Sequence, residues 1–346
     1  MYGDADEPID LDSIEIPDLS DFELDPDFEA HYDLLRTCRE HVHQVHHQNP
    51  DLEILWIARK RKSKRAKPVK PAMFSSDAKV GKVLQQQLTW NIPMEISCLR
   101  PWADGGTIAS DFCKERCYGK DWKQNKPETV ERSEKNEIIR QRPDFAQLVI
   151  GAFAEIELRR IPRLGKVRQP DGNMEERIIS APPSLFRVHG IGDFDSERYI
   201  RAWIEIAKAL RYTTFFAYTR SWRRPELRKA LRELAALPNF HVLLSYDKRS
   251  GSPPLWKNAP TALLLDFDDR GPRARKDTRV VFRTQYFFVL QYGRVRNIPL
   301  PVMRKYDGRL VCPHEQRIKY DKGTGKALPP DVTCFDCKVC CPSLRM

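Results

Sequence analysis

Residues 185–247 read LFRVHGIGDFDSERYIRAWIEIAKALRYTTFFAYTRSWRRPELRKALRELAALPNFHVLLSYD, and the hydrophobic period changes repeatedly within them. Leu185–Gly190 is a short apolar run suited to a strand. From 197 to 210 the period lengthens to that of a helix. Tyr199, Ile200, Trp203, Ile206, Ala207 and Leu210 then share one face, with Asp195 or Ser196 placed to cap it. Phe215–Tyr218 is again strand-like. Pro225 opens a second helix with Leu227, Leu231 and Leu234 on one side, stopped at Pro238, and His241–Tyr246 (HVLLSY) returns to strand. Strands this apolar are buried on both faces, and strands alternating with helices pair in parallel.

The pattern extends in both directions. Ala262–Phe267 (ALLLDF) reads as a further buried strand, Val280–Arg283 and Phe287–Gln291 as further candidates, and Phe145–Arg160 as an amphipathic helix. The expected fold is α/β, a complete or partial (β/α) barrel-like domain followed by a cysteine-rich metal-binding tail. An open doubly wound sheet is also compatible. In either case ligands gather at the carboxyl ends of the strands. This sequence places His189 and Asp193 there, then Thr219, Arg220 and Ser221, then Asp247.

Three of these are candidate catalytic residues. The ordinary pKa of His189 lies near neutrality, which suits acid–base work. Asp193 is placed to orient that imidazole or to bind a ligand hydroxyl. Arg220 is flanked by Tyr218 and Trp222, so it is expected to grip a phosphate or carboxylate while the aromatics stack on a base or ring. The plainer alternative is that Arg220 and Asp193 pair across adjacent strand ends and His189 is a core histidine.

The nine cysteines carry the second line of evidence. Cys334, Cys337, Cys340 and Cys341 fall within eight residues, with Cys312 upstream. Two-residue spacers let successive thiolates point at one centre, as in the cysteine run that wraps a four-iron, four-sulfur cluster. Zinc, which usually takes two such pairs, is the alternative. A second group, Cys98, Cys113 and Cys117, lies in SCLRPWADGGTIASDFCKERCYG. If a helix begins near 113, Cys113 and Cys117 share a face and Cys98 returns from the preceding loop. Three thiols leave one position of a four-iron cluster open for a ligand. The alternatives are packing cysteines, or one site pooling both groups. Cys38 is isolated and reads as core.

Length and charge bound the rest. The 346 residues include 59 Lys and Arg against 48 Asp and Glu. Twelve of those acids lie in residues 1–30, which contain no Lys or Arg, leaving 59 basic against 36 acidic residues and a net of +23 in the remainder. Residues 1–30 read as an acidic-hydrophobic tail, disordered when alone. A helical segment and basic linker follow at 31–80, the α/β domain at 81–310 and the tail at 311–346. Within 31–58, His43 and His47 stand one helical turn apart, although a surface histidine cluster with His41 and His46 is the simpler reading.

Residues 59–70, RKRKSKRAKPVK, hold eight cations, among them Arg59, Lys60, Arg61, Lys62, Lys64 and Arg65. If all eight met phosphates, raising salt from about 50 to 200 mM would weaken binding by roughly 10⁴-fold. The partner expected of so basic a body is nucleic acid, DNA or RNA. No apolar stretch reaches the length of a membrane span and the N-terminus is unlike a signal peptide, so a cytoplasmic location is expected.

The segment RVHGIGDFDSERYIRAWIEIAKAL followed by FFAYTRSW, with Cys113–Cys117–Tyr118 before it and Cys334 to Cys340 after it, resembles the gene-88 protein family of mycobacteriophages and its relatives on plasmids and integrative elements. The resemblance runs from about Cys98 to the C-terminus and implies an architecture and a site but no reaction. A weaker similarity is to radical enzymes that cleave S-adenosylmethionine on a cluster held by Cys-x3-Cys-x2-Cys. Here Cys113-x3-Cys117 is followed by Lys120 in the third place, so Cys98 would have to substitute. Two functions are therefore expected from different classes. One is an iron–sulfur oxidoreductase or radical-type enzyme; the other is a zinc-stabilised nucleic-acid-binding protein of a mobile element.

Overall fold

A computed structural model of the chain describes residues 26–56, 70–71, 73–76, 87–101, 105–115, 127–158, 163–168, 173–179, 184–265, 272–283, 286–291, 294–299, 303 and 305–312. Helix α1 (Pro26–Gln48) starts on a proline, whose missing N–H is no loss in the first turn, and ends before Pro50. The helical segment expected from residue 31 therefore begins earlier, inside the acidic segment, and stops at Gln48. Strands β1 (Leu55–Trp56) and β2 (Lys70–Pro71) pair antiparallel.

Then come β3 (Ser75–Ser76), β4 (Gln87–Trp90), α2 (Met94–Ser97), α3 (Asp111–Glu115), α4 (Pro127–Gln141), α5 (Phe145–Leu158) and the hairpin β5 (Arg163–Arg168)–β6 (Met174–Ile179). The central run is β7 (Ser184–Val188), α6 (Glu197–Ala209), β8 (Thr213–Thr219), α7 (Arg228–Ala235), β9 (Phe240–Tyr246), β10 (Thr261–Leu265) and β11 (Thr278–Arg283). Two hairpins follow, β12 (Tyr286–Gln291) with β13 (Arg294–Pro299) and β14 (Lys305–Tyr306) with β15 (Arg309–Leu310). The expected strand at Phe287–Gln291 thus exists, but in a hairpin separate from the main sheet.

The main sheet has the order β3-β4-β7-β8-β9-β10-β11. β3 is antiparallel to β4, and the six strands from β4 to β11 are parallel. Strand order follows chain order without reversal. A doubly wound sheet reverses once, so that alternative is excluded. Right-handed crossovers that all step in one direction place α6 and α7 on the same face.

That face carries the main core. Phe186 meets Phe74, Phe153, Phe215 and Trp203 at ring separations of 5.1, 5.5, 5.5 and 5.8 Å. Helix α6 enters it with Tyr199, Ile200, Trp203, Ile206 and Ala207 buried, and Ser196 is its cap, accepting from the Tyr199 N–H at 3.4 Å. Helices α1 and α5 cross at Gly151, where a Cβ would lie 2.0 Å from the carbonyl oxygen of Cys38. Cys38 is buried in this core, as its isolation in the sequence suggests.

Residues alternating with the core positions line the other face. Its apolar part is Leu243, Ala262, Val280 and Cys312, packed by Tyr218 and Phe282, with no helix residue among them. The rings of Tyr218 on β8 and Phe282 on β11 meet edge to face at 4.9 Å. Those strands are three intervals apart, roughly 14 Å across a flat sheet. Side chains standing perpendicular to a flat sheet do not close that gap. The sheet therefore curls, and the face that carries Tyr218 and Phe282 is concave.

Among the described residues no helix is long and apolar enough to cross a membrane. The cationic arm from Arg59 to Arg65, Cys117 and the tail cysteines Cys334, Cys337, Cys340 and Cys341 lie outside the described residues.

Candidate functional site

The carboxyl ends of β7, β8 and β9 are knitted together by two buried carboxylates. Asp193, in the loop after β7, accepts from Thr219 Oγ1 (2.5 Å), Ser221 Oγ (2.7 Å) and the Phe194 N–H (2.7 Å) on Oδ1. Its Oδ2 accepts the Arg220 N–H at 2.8 Å. Burial pushes the Asp193 carboxyl above its ordinary pKa, and these four donors offset part of that.

Asp247 ends β9. Its Oδ1 takes the N–H groups of Arg249 (2.7 Å) and Ser250 (2.9 Å), closing an Asx turn. Its Oδ2 takes Arg220 Nη1 (2.5 Å) and the Ser110 hydroxyl (2.6 Å). The Arg220 and Asp247 side chains are 6% and 0% exposed, so the pair is fully desolvated.

Both described cysteines of the first group lie in segments tied to this rim. Ser110 caps α3, accepting the Cys113 N–H at 3.1 Å while it donates to Asp247. Cys113 thus stands in the first turn of α3 beside Arg220. Burial pushes its thiol up, and the Arg220 guanidinium pulls the other way. Cys98 follows α2, and its carbonyl accepts the Ala109 N–H at 3.0 Å. The preceding Ser97 accepts the Asp193 N–H at 3.2 Å and donates to the Pro93 carbonyl. Arg223 fastens the same loop, donating to the carbonyls of Thr107 (2.9 Å) and Ile108 (3.1 Å). Among the described residues, Nε and Nη2 of Arg220 meet no carboxylate or carbonyl oxygen.

The candidate catalytic residues divide. Arg220 and Asp193 share the rim, but the Arg220 side chain pairs with Asp247 and only its backbone N–H meets Asp193. Asp193 does not orient His189. The His189 Nε2 is instead 2.8 Å from the Tyr199 hydroxyl, and the imidazole packs against Phe194 at 4.6 Å. Its Nδ1 has no partner among the described residues. Burial, then Arg140 and Arg187, hold the His189 pKa well below the ordinary value, so the ring is neutral.

His189 also has φ 64°, which costs a side-chain-bearing residue roughly 1–2 kcal/mol and ends β7 at Val188 rather than Gly190. At the next residue, Gly190, a Cβ would lie 2.6 Å from Asn91 Oδ1 and 2.9 Å from the Thr89 methyl, so a side chain there would displace those groups. The expected aromatic brackets on Arg220 are not formed. Trp222 is buried on the helix side with Nε1 donating to the Ser245 carbonyl, and Tyr218 lies under Arg187 at 5.7 Å.

Cys312 is buried against Leu243, Ala262 and Val280 on the concave face. His41 pairs with Asp144 at 2.9 Å, and no three metal-ligating side chains gather among the described residues. Sequence reasoning missed Ser97, Ser110 and Arg223. Ser110 carried a readable signal, a serine directly before an acidic helix start.

The family model described as Gene product 88 matches residues 57–285 of the chain. That stretch contains Cys98, Cys113 and Cys117 and every rim residue named above. No curated protein and no solved structure matches.

Proposed function

Taking as premise that the chain belongs to the gene product 88 family, we propose that it is an iron–sulfur protein. Cys98, Cys113 and Cys117 hold a cluster over the strand ends, where redox or radical chemistry takes place. The observation that carries this reading is that Ser97 and Ser110 tie the Cys98 and Cys113 segments to the same buried strand-end rim, with Cys113 beside Arg220. Thiolates at such a place suit a soft metal centre. A four-iron cluster on three thiolates supplies an electron couple and an iron with an open position.

The chain's own residues do the rest. Ser97 and Ser110 fix the two thiol-bearing segments. Arg220 favours the thiolate of Cys113 and offers its remaining donors to an anionic ligand, while Asp247 holds the guanidinium in place. His189, neutral, offers Nδ1 as a hydrogen-bonding atom. Sequential strand order and the Tyr218–Phe282 contact support a partial (β/α) barrel, a fold that keeps its sites at this rim. Val311 runs parallel to Val281, sending the chain towards the rim end. A second metal on Cys334, Cys337, Cys340 or Cys341 belongs to the same reading, with Cys312 less suited because of its apolar packing. S-adenosylmethionine does not, given Lys120.

The test is anaerobic purification of Cys98→Ser, Cys113→Ser and Cys117→Ser beside Cys38→Ser. The first three should lose the visible absorption of the cluster and the last should keep it. Full iron in all four ends the proposal.

One observation favours a second reading, a zinc-stabilised nucleic-acid-binding protein. Pairing of Leu55 with Pro71 and Trp56 with Lys70 holds the two ends of the cationic arm side by side. Replacing Arg59, Lys60, Arg61, Lys62, Lys64 and Arg65 with glutamine should then reduce the slope of log K against log salt by about five. An unchanged slope removes the arm from nucleic-acid binding.

A further inference from the structure

The crossover from β8 to β9 carries α7, but residues 247–260 lead from β9 to β10 without a helix. Over that part of the main core Trp256, Ala274, Met303 and Tyr306 pack instead of helical side chains. Their segments are tied to one another and to α7. Arg232 of α7 lies over the Trp256 ring at 5.7 Å. Arg275 donates to Ser252 Oγ at 2.9 Å and to the Pro253 carbonyl. The Ala274 N–H donates to Asp307, in the turn between β14 and β15, at 3.0 Å, and Arg309 of β15 donates to the Lys276 carbonyl at 2.9 Å. Helix α7, the loop at 252–257, residues 273–277 and the last hairpin therefore form one continuous outer surface.

Its exposed charges are positive. Lys229, Arg232, Lys257, Arg273, Lys276 and Lys305 all reach solvent, and among the described residues none of them pairs with a carboxylate. The acids of these segments are engaged elsewhere: Glu226 with Arg224, Glu233 with Arg201, Asp277 with Arg275, and Asp307 with the Ala274 N–H. Strands β10 and β11 both begin beside Lys257 and Lys276, whereas Asp266, Asp268 and Asp269 come after the opposite end of β10 in the chain. Cations gathered without counter-charges raise the local potential and draw a polyanion. Two further features select which polyanion. The Arg232 guanidinium rests against Trp256 and stays exposed, so a planar group is held where an unpaired base can stack. Leu255, directly before Trp256, is 79% exposed and offers apolar area that a base covers and a phosphate does not.

We propose that this outer surface binds single-stranded nucleic acid, with phosphates on Lys229, Lys257, Arg273, Lys276 and Lys305 and a base against Arg232 and Leu255. The inference goes beyond the iron–sulfur reading and needs no metal, and it uses none of the arm cations from Arg59 to Arg65.

The experiment follows binding of a fluorescein-labelled short oligothymidylate to the full-length protein by anisotropy over a range of salt. Lys229→Gln, Lys257→Gln, Arg273→Gln, Lys276→Gln and Lys305→Gln combined should reduce the slope of log K against log salt by about three to four. Arg232→Lys keeps the charge and removes the plane, so it should weaken binding about tenfold and leave the slope as it was. All six positions are exposed, and exposed substitutions of this kind leave the fold intact, which circular dichroism checks. A slope that the combined variant shares with the unsubstituted protein overturns the inference. Oligothymidylate binding that Arg232→Lys leaves unchanged overturns it too, as does tighter binding of a duplex of the same length. Protein that binds phosphatidylserine vesicles and ignores the oligothymidylate likewise overturns it. Iron-replete protein whose slope the combined substitutions do not move refutes this inference alone; iron-free protein whose slope they reduce refutes the cluster alone.

Discussion

Arg220 and Asp247 illustrate how much depends on single side chains at the rim. Both charges are out of water, so removing one leaves the other without compensation. Asp247→Ala should lower stability by about 3–5 kcal/mol in urea unfolding; a loss under about 1 kcal/mol would show the pair to be solvated. His241 gives a pH signature. Its folded pKa of about 4 lies below the ordinary 6.5, so between these values the unfolded chain binds more protons than the native one. Stability from this residue is complete above pH 6.5 and is lost as pH falls towards 4. His241→Leu should flatten unfolding free energy against pH in that window, and an unaltered slope would contradict the burial of the ring. Asp193 was legible as a strand-end acid, but its partners were not. Thr219 ends the next strand and Ser221 opens the 3₁₀ turn after it, and nothing in local spacing announces that their hydroxyls turn back to Asp193.

Elements were read from the sequence where one face is uniformly apolar. Helix α6 matches its pattern from Tyr199 to Ala207, because burial against the sheet and local period point the same way. The end of β7 was misjudged because a left-handed histidine is invisible in an apolar run. The second helix was read as starting at Pro225. The chain first makes 3₁₀ turns at Ser221–Arg223 and Pro225–Leu227 before α7 begins at Arg228. The crossing of α1 and α5 was not legible, since it depends on a contact between Gly151 and Cys38 across more than a hundred residues. Gly151→Ala should force the helices apart and cost about 1–3 kcal/mol in denaturant unfolding, and an unmoved midpoint would mean the crossing is looser than described.

At the scale of the whole molecule, alternation of strand and helix was enough to establish an α/β chain with a parallel sheet. It could not choose between doubly wound and sequential order, because the direction of each crossover is not written in hydrophobic period. The sequential order gives the sheet two distinct faces, an aromatic core covered by helices and an opposite face with Leu243, Ala262, Val280 and Cys312 packed by Tyr218 and Phe282. Cys98 and Cys113, the two described cysteines of the first group, stand in segments tied to the rim by Ser97 and Ser110. Spacing suggested that Cys98, Cys113 and Cys117 share one site, whereas Ser97 and Ser110, which tie the first two segments to the rim, came from the fold. Convergence there is the claim that matters most. Its most direct measurement is the iron content and low-temperature paramagnetic resonance spectrum of full-length protein prepared without oxygen. The account predicts a brown protein with several irons per chain and a cluster signal on reduction. Colourless protein carrying stoichiometric zinc and no iron would contradict it.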